Sequence, residues 1–158
     1  MIKSNYYPYV YIHEIVGDSF VLLLNADWAY KIPDYCTTIC MNFLIELNER
    51  TEHLIQFRVG CAYGKILYGY IGDQLRLFGD TINLASRLEH ISKIDHVYCD
   101  ENFFEKLKSE LASNNKELTC EKNIVELKGF KPQNAYLLEF NKYFKYNNVQ
   151  RRKSILNM

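Results

Sequence analysis

The stretch FGDTINLASRLEH, Phe78 to His90, constrains the fold of this chain more than any other. A Gly79-Asp80 turn runs straight into a segment where Leu84, Ala85, Leu88 and Ile91 recur at helical spacing, the stripe that a helix resting on a sheet buries. Asp80 or Thr81 is a natural N-cap for that helix. Asn83 and Arg87 lie four positions apart, just over one turn, so they share one face. A polar pair is thereby held rigidly beside the core.

The flanking segments can be read from their periodicity. Residues 9–25 form two strands, YVYIHEIV and SFVLLLN, joined through Gly17-Asp18, where glycine in the first loop position suits a type II′ hairpin turn. Asp18 then sits at the hairpin tip, ordinarily the place of a turn residue. A loop, NADWAYKIP, leads to a helix from about Pro33 to Asn48, with Cys36, Ile39, Cys40, Phe43, Leu44 and Leu47 on one apolar face. QFRVGCAY, residues 56–63, alternates, and Gly64-Lys65 leads into ILYGYIG, so a second hairpin is expected. Gly64, Gly69 and Gly72 fit neither phosphate-loop spacing and read as turn or close-packing positions. HVYCD, 96–100, is a short strand, ENFFEKLKSELA an amphipathic helix, and ELTCEKNIVELKG with NAYLLEF a final strand pair. This mixture specifies an α+β class, with helices packed on a mainly antiparallel sheet.

Composition limits the function classes. The 158 residues are 48% hydrophobic, enough for one globular domain with a sizeable core. Lysine and arginine number 19 and so do aspartate and glutamate, a balance that argues against bulk nucleic-acid binding. Five cysteines with no C-x-x-C pair point to free thiols in a reducing compartment, and Cys36 with Cys40, lacking a second ligand pair, reads as core packing. No apolar run reaches bilayer length and the first residues are too polar for a secretory signal, so a cytoplasmic chain is expected. The segment 141–158 is basic, with no acid after Glu139; it reads as a tail or linker, or as a docking or anionic-membrane segment.

Five segments together, HEIVGDSF, RVGCAYGKILYGYIGDQ, LFGDTINLASRLE, HVYCDENFFEKL and VELKGFKPQNAYLL, resemble the catalytic domain of class III nucleotide cyclases, more the guanylyl than the adenylyl members. They occur in the family's order over residues 10 to 140. The resemblance implies a ferredoxin-like cyclase fold and cyclisation of a nucleoside triphosphate to its 3′,5′-cyclic monophosphate with release of pyrophosphate. It also implies two divalent ions, magnesium or manganese, and a site at the interface with a second cyclase domain, as homodimer or heterodimer. A membrane would be involved only through other parts of a parent protein, placing the domain on its cytosolic side.

Residue by residue, the resemblance gives Asn83 the orientation of the ribose and Arg87 the charge at the α-phosphate. Lys128 in ELKGF would contact the distal phosphates, and Asp18 matches the second of two metal-binding aspartates. Glu14 matches the glutamate that accepts from guanine, which favours GTP over ATP. Arg76, with Phe78 among the substrate-binding candidates, stands where guanylyl cyclases usually carry cysteine. Its guanidinium either donates to the guanine O6 or pairs with Glu14 and closes the pocket. The family's first strand, with the first metal aspartate, has no counterpart in MIKSNYYPY. The expectation is a partial domain over 1–140 that lacks this strand, leaves Asp18 alone to face the work of two carboxylates, and associates or is poorly stable by itself. An inactive regulatory module with the same fold is the alternative.

Overall fold

A computed structural model of the chain describes residues 10–24, 36–51, 54–112 and 118–139. The segments MIKSNYYPY, NADWAYKIP and 141–158, and the helix start at Pro33, lie outside the described residues. The chain divides into two compact units, Met1–His53 and Leu54–Met158.

In the first unit β1 (Val10–Val16) and β2 (Ser19–Leu24) form the expected antiparallel hairpin. Gly17 supplies φ +62°. Asp95 is the one non-glycine described residue at positive φ, so Asp18 keeps the negative φ of a type II′ turn. A bulge between Ile12 and Glu14 leaves His13 without an opposite residue. Because Ile12 pairs with Leu22 and Glu14 with the adjacent Val21, the bulge turns Glu14 onto the face opposite Ile12. Helix α1 (Cys36–Arg50) buries Thr37, Met41, Phe43, Leu44, Ile45 and Asn48. That face is rotated from the expected one, and Cys36, Ile39, Cys40 and Leu47 stay half-buried. Apolar residues at 41 and 45 widen the stripe, so periodicity alone could not choose its centre.

The second unit contains β3 (Arg58–Cys61), β4 (Leu67–Ile71), β5 (Gln74–Phe78), α2 (Asp80–Ile91), β6 (His96–Asp100), α3 (Glu101–Ala112), β7 (Glu121–Val125) and β8 (Gln133–Glu139). Four strands form one sheet in the order β3-β6-β8-β7, and β4 with β5 forms a separate ribbon. The ladders are antiparallel except β3 with β6. The architecture is therefore α+β and mainly antiparallel, as the pattern of elements required.

The expected hairpin from QFRVGCAY into ILYGYIG does not form. β3 instead pairs in parallel with β6, which needs a crossover, and α2 lies in that connection. The partner of β4 is β5, joined through Gly72 at φ +64° and Asp73. Alternating Leu75 and Leu77 carried the signal for that strand.

The four-stranded sheet is apolar on both faces. Leu84 and Leu88 of α2 cluster with Tyr98, Val125, Leu127, Ala135 and Leu137, and Ala62 and Phe130 edge that cluster. Tyr136 and Leu138, alternating with those β8 residues, belong to the other face, where α3 packs and its Phe104 stacks on Tyr136 with ring centroids 3.8 Å apart. Each fully buried leucine, such as Leu88, Leu107 and Leu138, contributes roughly 2 kcal/mol relative to exposure.

Candidate active site

The site is organised by α2, and its position is set by two close contacts. At Gly60 of β3 an added Cβ would lie 2.0 Å from the Ala85 carbonyl oxygen and 2.3 Å from the Glu89 amide nitrogen. The helix backbone therefore rests directly on the strand. At the helix start, the Thr81 hydroxyl donates to the Lys65 carbonyl oxygen at 2.8 Å, and a Cβ on Gly64 would come within 2.6 Å of that hydroxyl. Gly64 is thus a close-packing glycine.

The N-cap is Gly79, at φ 127°, with no side-chain cap bond, rather than Asp80 or Thr81. The Thr81 hydroxyl is engaged with Lys65 instead, and Asp80, in the first turn, places its charge at the positive end of the helix dipole. At the other end Ser92 donates its amide to the Glu89 carbonyl at 3.0 Å and its hydroxyl to the His96 carbonyl at 3.1 Å. Leu84 and Leu88 are buried and Ala85 is half-buried, as the stripe predicts, while Ile91 is 43% exposed.

Asn83 and Arg87 project from α2 into solvent. Among the described residues neither side chain makes a hydrogen bond or ion pair, so both are open to a ligand. Arg58 of β3 reaches Glu89 at 3.1 Å, tying the strand to the same helix. Phe78 ends β5 immediately before the cap and is 46% exposed. Arg76, opposite Gly69 in the ribbon, donates from Nη2 to Gln74 Oε1 at 2.7 Å.

Lys128 is exposed and lies in the turn between β7 and β8. Gly129 at φ +87° and the Phe130 amide, bonded to the Leu127 carbonyl at 3.0 Å, shape that turn. A turn presents a lysine more freely than the surface strand its sequence context suggests. Asn83 and Arg87 share one face of α2 on the second unit, which also carries Arg76, Phe78 and Lys128. Glu14 and Asp18 belong to the first unit, Glu14 half-buried past the bulge and Asp18 exposed at the turn.

One group was not singled out by sequence reasoning. Asp100 is only 5% exposed, and its Oδ1 accepts from the Tyr63 amide at 3.1 Å and the Phe103 amide at 3.0 Å. Loss of water pushes its carboxyl above the usual range, against the pull of those amides. An aspartate directly before an apolar helix, as in CDENFF, is an N-cap signal that could have identified it.

Residues 3–140 match the family model described as the adenylate and guanylate cyclase catalytic domain. The chain belongs to this family.

Among curated cyclases, the chain is 36% identical over 87 residues to guanylate cyclase alpha of Plasmodium falciparum, covering 53% of this chain and 2% of that protein. It is 27% identical over 137 residues to human guanylate cyclase soluble subunit beta-2, covering 82% of this chain and 21% of that one. An adenylate cyclase of Mycobacterium tuberculosis is 23% identical over 105 residues, covering 61% and 24%. The chain thus spans less than a quarter of the length of each. The crystal structure of the guanylate cyclase domain of RhGC from Catenaria anguillulae in complex with GTP has the same fold, with TM-score 0.67 at 24% identity over 82% of this chain and 71% of that one.

Cyclase domains of this class use divalent ions. Among the described residues no group of three or more His, Cys, Asp or Glu side chains gathers as a metal site. Asp18, a single exposed carboxylate, does not fit a two-ion centre by itself. No helix among the described residues is long and apolar enough to cross a membrane.

Proposed function

We propose that this chain is a guanylate cyclase-type domain that contributes the base, ribose and transition-state half of a shared site, where GTP becomes 3′,5′-cyclic GMP and pyrophosphate. The observation that carries this reading is the open Asn83 and Arg87 pair on a helix seated against Gly60. In the reaction the ribose 3′-oxygen loses its proton and bonds to the α-phosphorus, the bond to the β-bridging oxygen breaks, and pyrophosphate leaves. Such an in-line displacement is catalysed mainly by positioning and charge stabilisation. Asn83 orients the ribose. Arg87 meets the charge growing on the α-phosphate with a planar fork of donors that lysine lacks.

Lys128 takes the distal phosphates, and its place in an exposed turn leaves it free to reach them. Glu14 accepts from the guanine edge, on the strand face selected by the bulge. Arg76 and Phe78 border the base. The Arg76 guanidinium, one nitrogen of which donates to Gln74, either donates to the guanine O6 or pairs with Glu14 and closes the pocket. Relatives named guanylate cyclases support GTP, while relatives named adenylate cyclases keep ATP as the second substrate to test.

A second cyclase domain completes the site in this account, because Asp18 alone does not fit the magnesium or manganese pair. The surface available for association is the β4–β5 ribbon, where Leu67, Tyr68, Tyr70, Ile71 and Phe78 are all exposed. Residues 1–140 act as the catalytic part and 141–158 as a basic tail, in the cytoplasm or on the cytosolic side of a membrane protein. The alternative is a module that binds nucleotide without turnover, favoured by the solitary Asp18 and by arginine at position 76. Cyclic nucleotide formed from manganese with GTP or ATP, by the chain alone and mixed with a cyclase domain bearing both metal aspartates, tests the two readings.

A further inference from the structure

The structure assigns Asp100 as a positioning residue for the helix that carries Asn83 and Arg87, acting through the loop between β3 and β4. It rests on the cyclase reading only for what that helix does. The carboxylate ends β6, and a single oxygen accepts from two elements, the Tyr63 amide just after β3 and the Phe103 amide in the first turn of α3.

The loop fixed at Tyr63 continues through Gly64 and Lys65, and there it meets the start of α2. Thr81 donates to the Lys65 carbonyl, Gly64 leaves room for the Thr81 hydroxyl, and a Cβ on the capping Gly79 would lie 3.6 Å from the same carbonyl oxygen. A continuous path of contacts therefore runs from Asp100 to Tyr63, along the loop to Thr81, and two residues on to Asn83. Gly60 seats the middle of α2, and the loop seats its first turn.

That first turn has no side chain of its own to cap it. Helix starts without a cap fray readily, so here an external tether takes over the role. A buried carboxylate is an expensive way to make two amide bonds, since its charge has lost most of its water. Capping α3 alone would be served as well by serine or asparagine at the helix end. The second acceptance, from a loop 37 positions earlier in the chain, links β6 and α3 to the start of α2.

Hydrogen exchange on the full chain reads this path without nucleotide, so its outcome is independent of whether the chain turns nucleotide over. In Asp100→Ala the amides of Tyr63, Leu84 and Ala85 should exchange about tenfold faster, the consequence of losing bonds to a charged acceptor. Leu137 and Leu138 in the sheet should stay within about twofold of wild type, because the opening is local. Asp100→Asn, which keeps an acceptor, should restore all three amides. Tyr63→Pro, which removes the N–H donor together with the half-exposed phenol and fixes φ, should loosen Leu84 and Ala85 while leaving the α3 cap intact, and it serves if Asp100→Ala does not fold. Tyr63→Ala, which keeps the donor, is its control. Where turnover is present, Asp100→Ala should lower kcat about tenfold with KM within about twofold, as for a transition-state contact set out of place. Unchanged exchange at Leu84 and Ala85 would overturn the assignment. So would an equal rise at Leu137 and Leu138, or failure of asparagine to rescue.

Discussion

Gly60 of β3 and Ala85 of α2 meet backbone to backbone, closer than any side chain between them would permit. This contact brings Leu84 and Leu88 down onto the sheet and fixes the outward face that carries Asn83 and Arg87.

Gly60→Ala should therefore be far more harmful than a methyl group on a strand normally is. The helix has to lift or the strand to shift, at a cost of about 3 kcal/mol, in the upper range for overpacking. Urea denaturation should show a lowered midpoint with little change in slope, while Gly69→Ala in the ribbon, where nothing lies within 4 Å, should remain near wild type.

Arg87→Ala separates chemistry from folding. The side chain is exposed and unengaged, so stability should change by no more than about 0.5 kcal/mol. Turnover in a complete dimer should fall by about 10²- to 10³-fold, the usual consequence of removing a donor to developing charge. Arg87→Lys should recover little of this, because an ammonium does not reproduce the planar fork. Steady-state cyclic nucleotide production beside thermal unfolding checks both halves.

The exposed ribbon makes an association prediction. Tyr70 and Ile71 are 73% and 63% exposed, and a charged substitution such as Ile71→Glu should leave the unfolding midpoint unchanged while weakening self-association or capture of a second cyclase domain about tenfold. Sedimentation across a concentration series would show it. Equal association of the variant and wild type would move the interface elsewhere.

Asp100 has a pH signature whose sign is fixed by its surroundings. Its carboxyl is raised above the ordinary 3.8 because burial penalises the charge. The folded chain holds this proton more tightly than the unfolded one, so the contribution to stability is fully present below about pH 3.8 and is lost as pH rises through the higher folded value. The stability of wild type relative to Asp100→Asn should accordingly grow on acidification from neutral pH. Denaturation curves for both proteins between neutrality and that acid limit test it, and a difference that shrinks on acidification would contradict it.

Much of this fold can be read from local pattern, and the failures share a cause. The limits of β6 and α3 and the presence of α2 follow from spacing and flanking residues, and the Asn83 and Arg87 pair from a separation of four, while the cap of α2 is one or two residues earlier than its polar residues suggested. Alternation identifies β3 and β4 as strands but says nothing of partners. The parallel pairing of β3 with β6 is set at long range, where α2 packs on Gly60 and Thr81 packs on Gly64. The bulge at His13 likewise depends on the register with β2, and an alternating pattern cannot announce it. Of the site, the α2 face was legible because it is local. The role of Asp100 was not, since one of its two donors lies 37 residues away.

The central claim is that this chain supplies one half of a guanylate cyclase site through Asn83 and Arg87. It is tested most directly by incubating the chain with manganese and GTP or ATP, alone and mixed with a cyclase domain bearing both metal aspartates, and measuring the cyclic product. Cyclic GMP is the predicted product of the mixture, lost in Arg87→Ala. No product from either nucleotide in a correctly assembled mixture would contradict the claim.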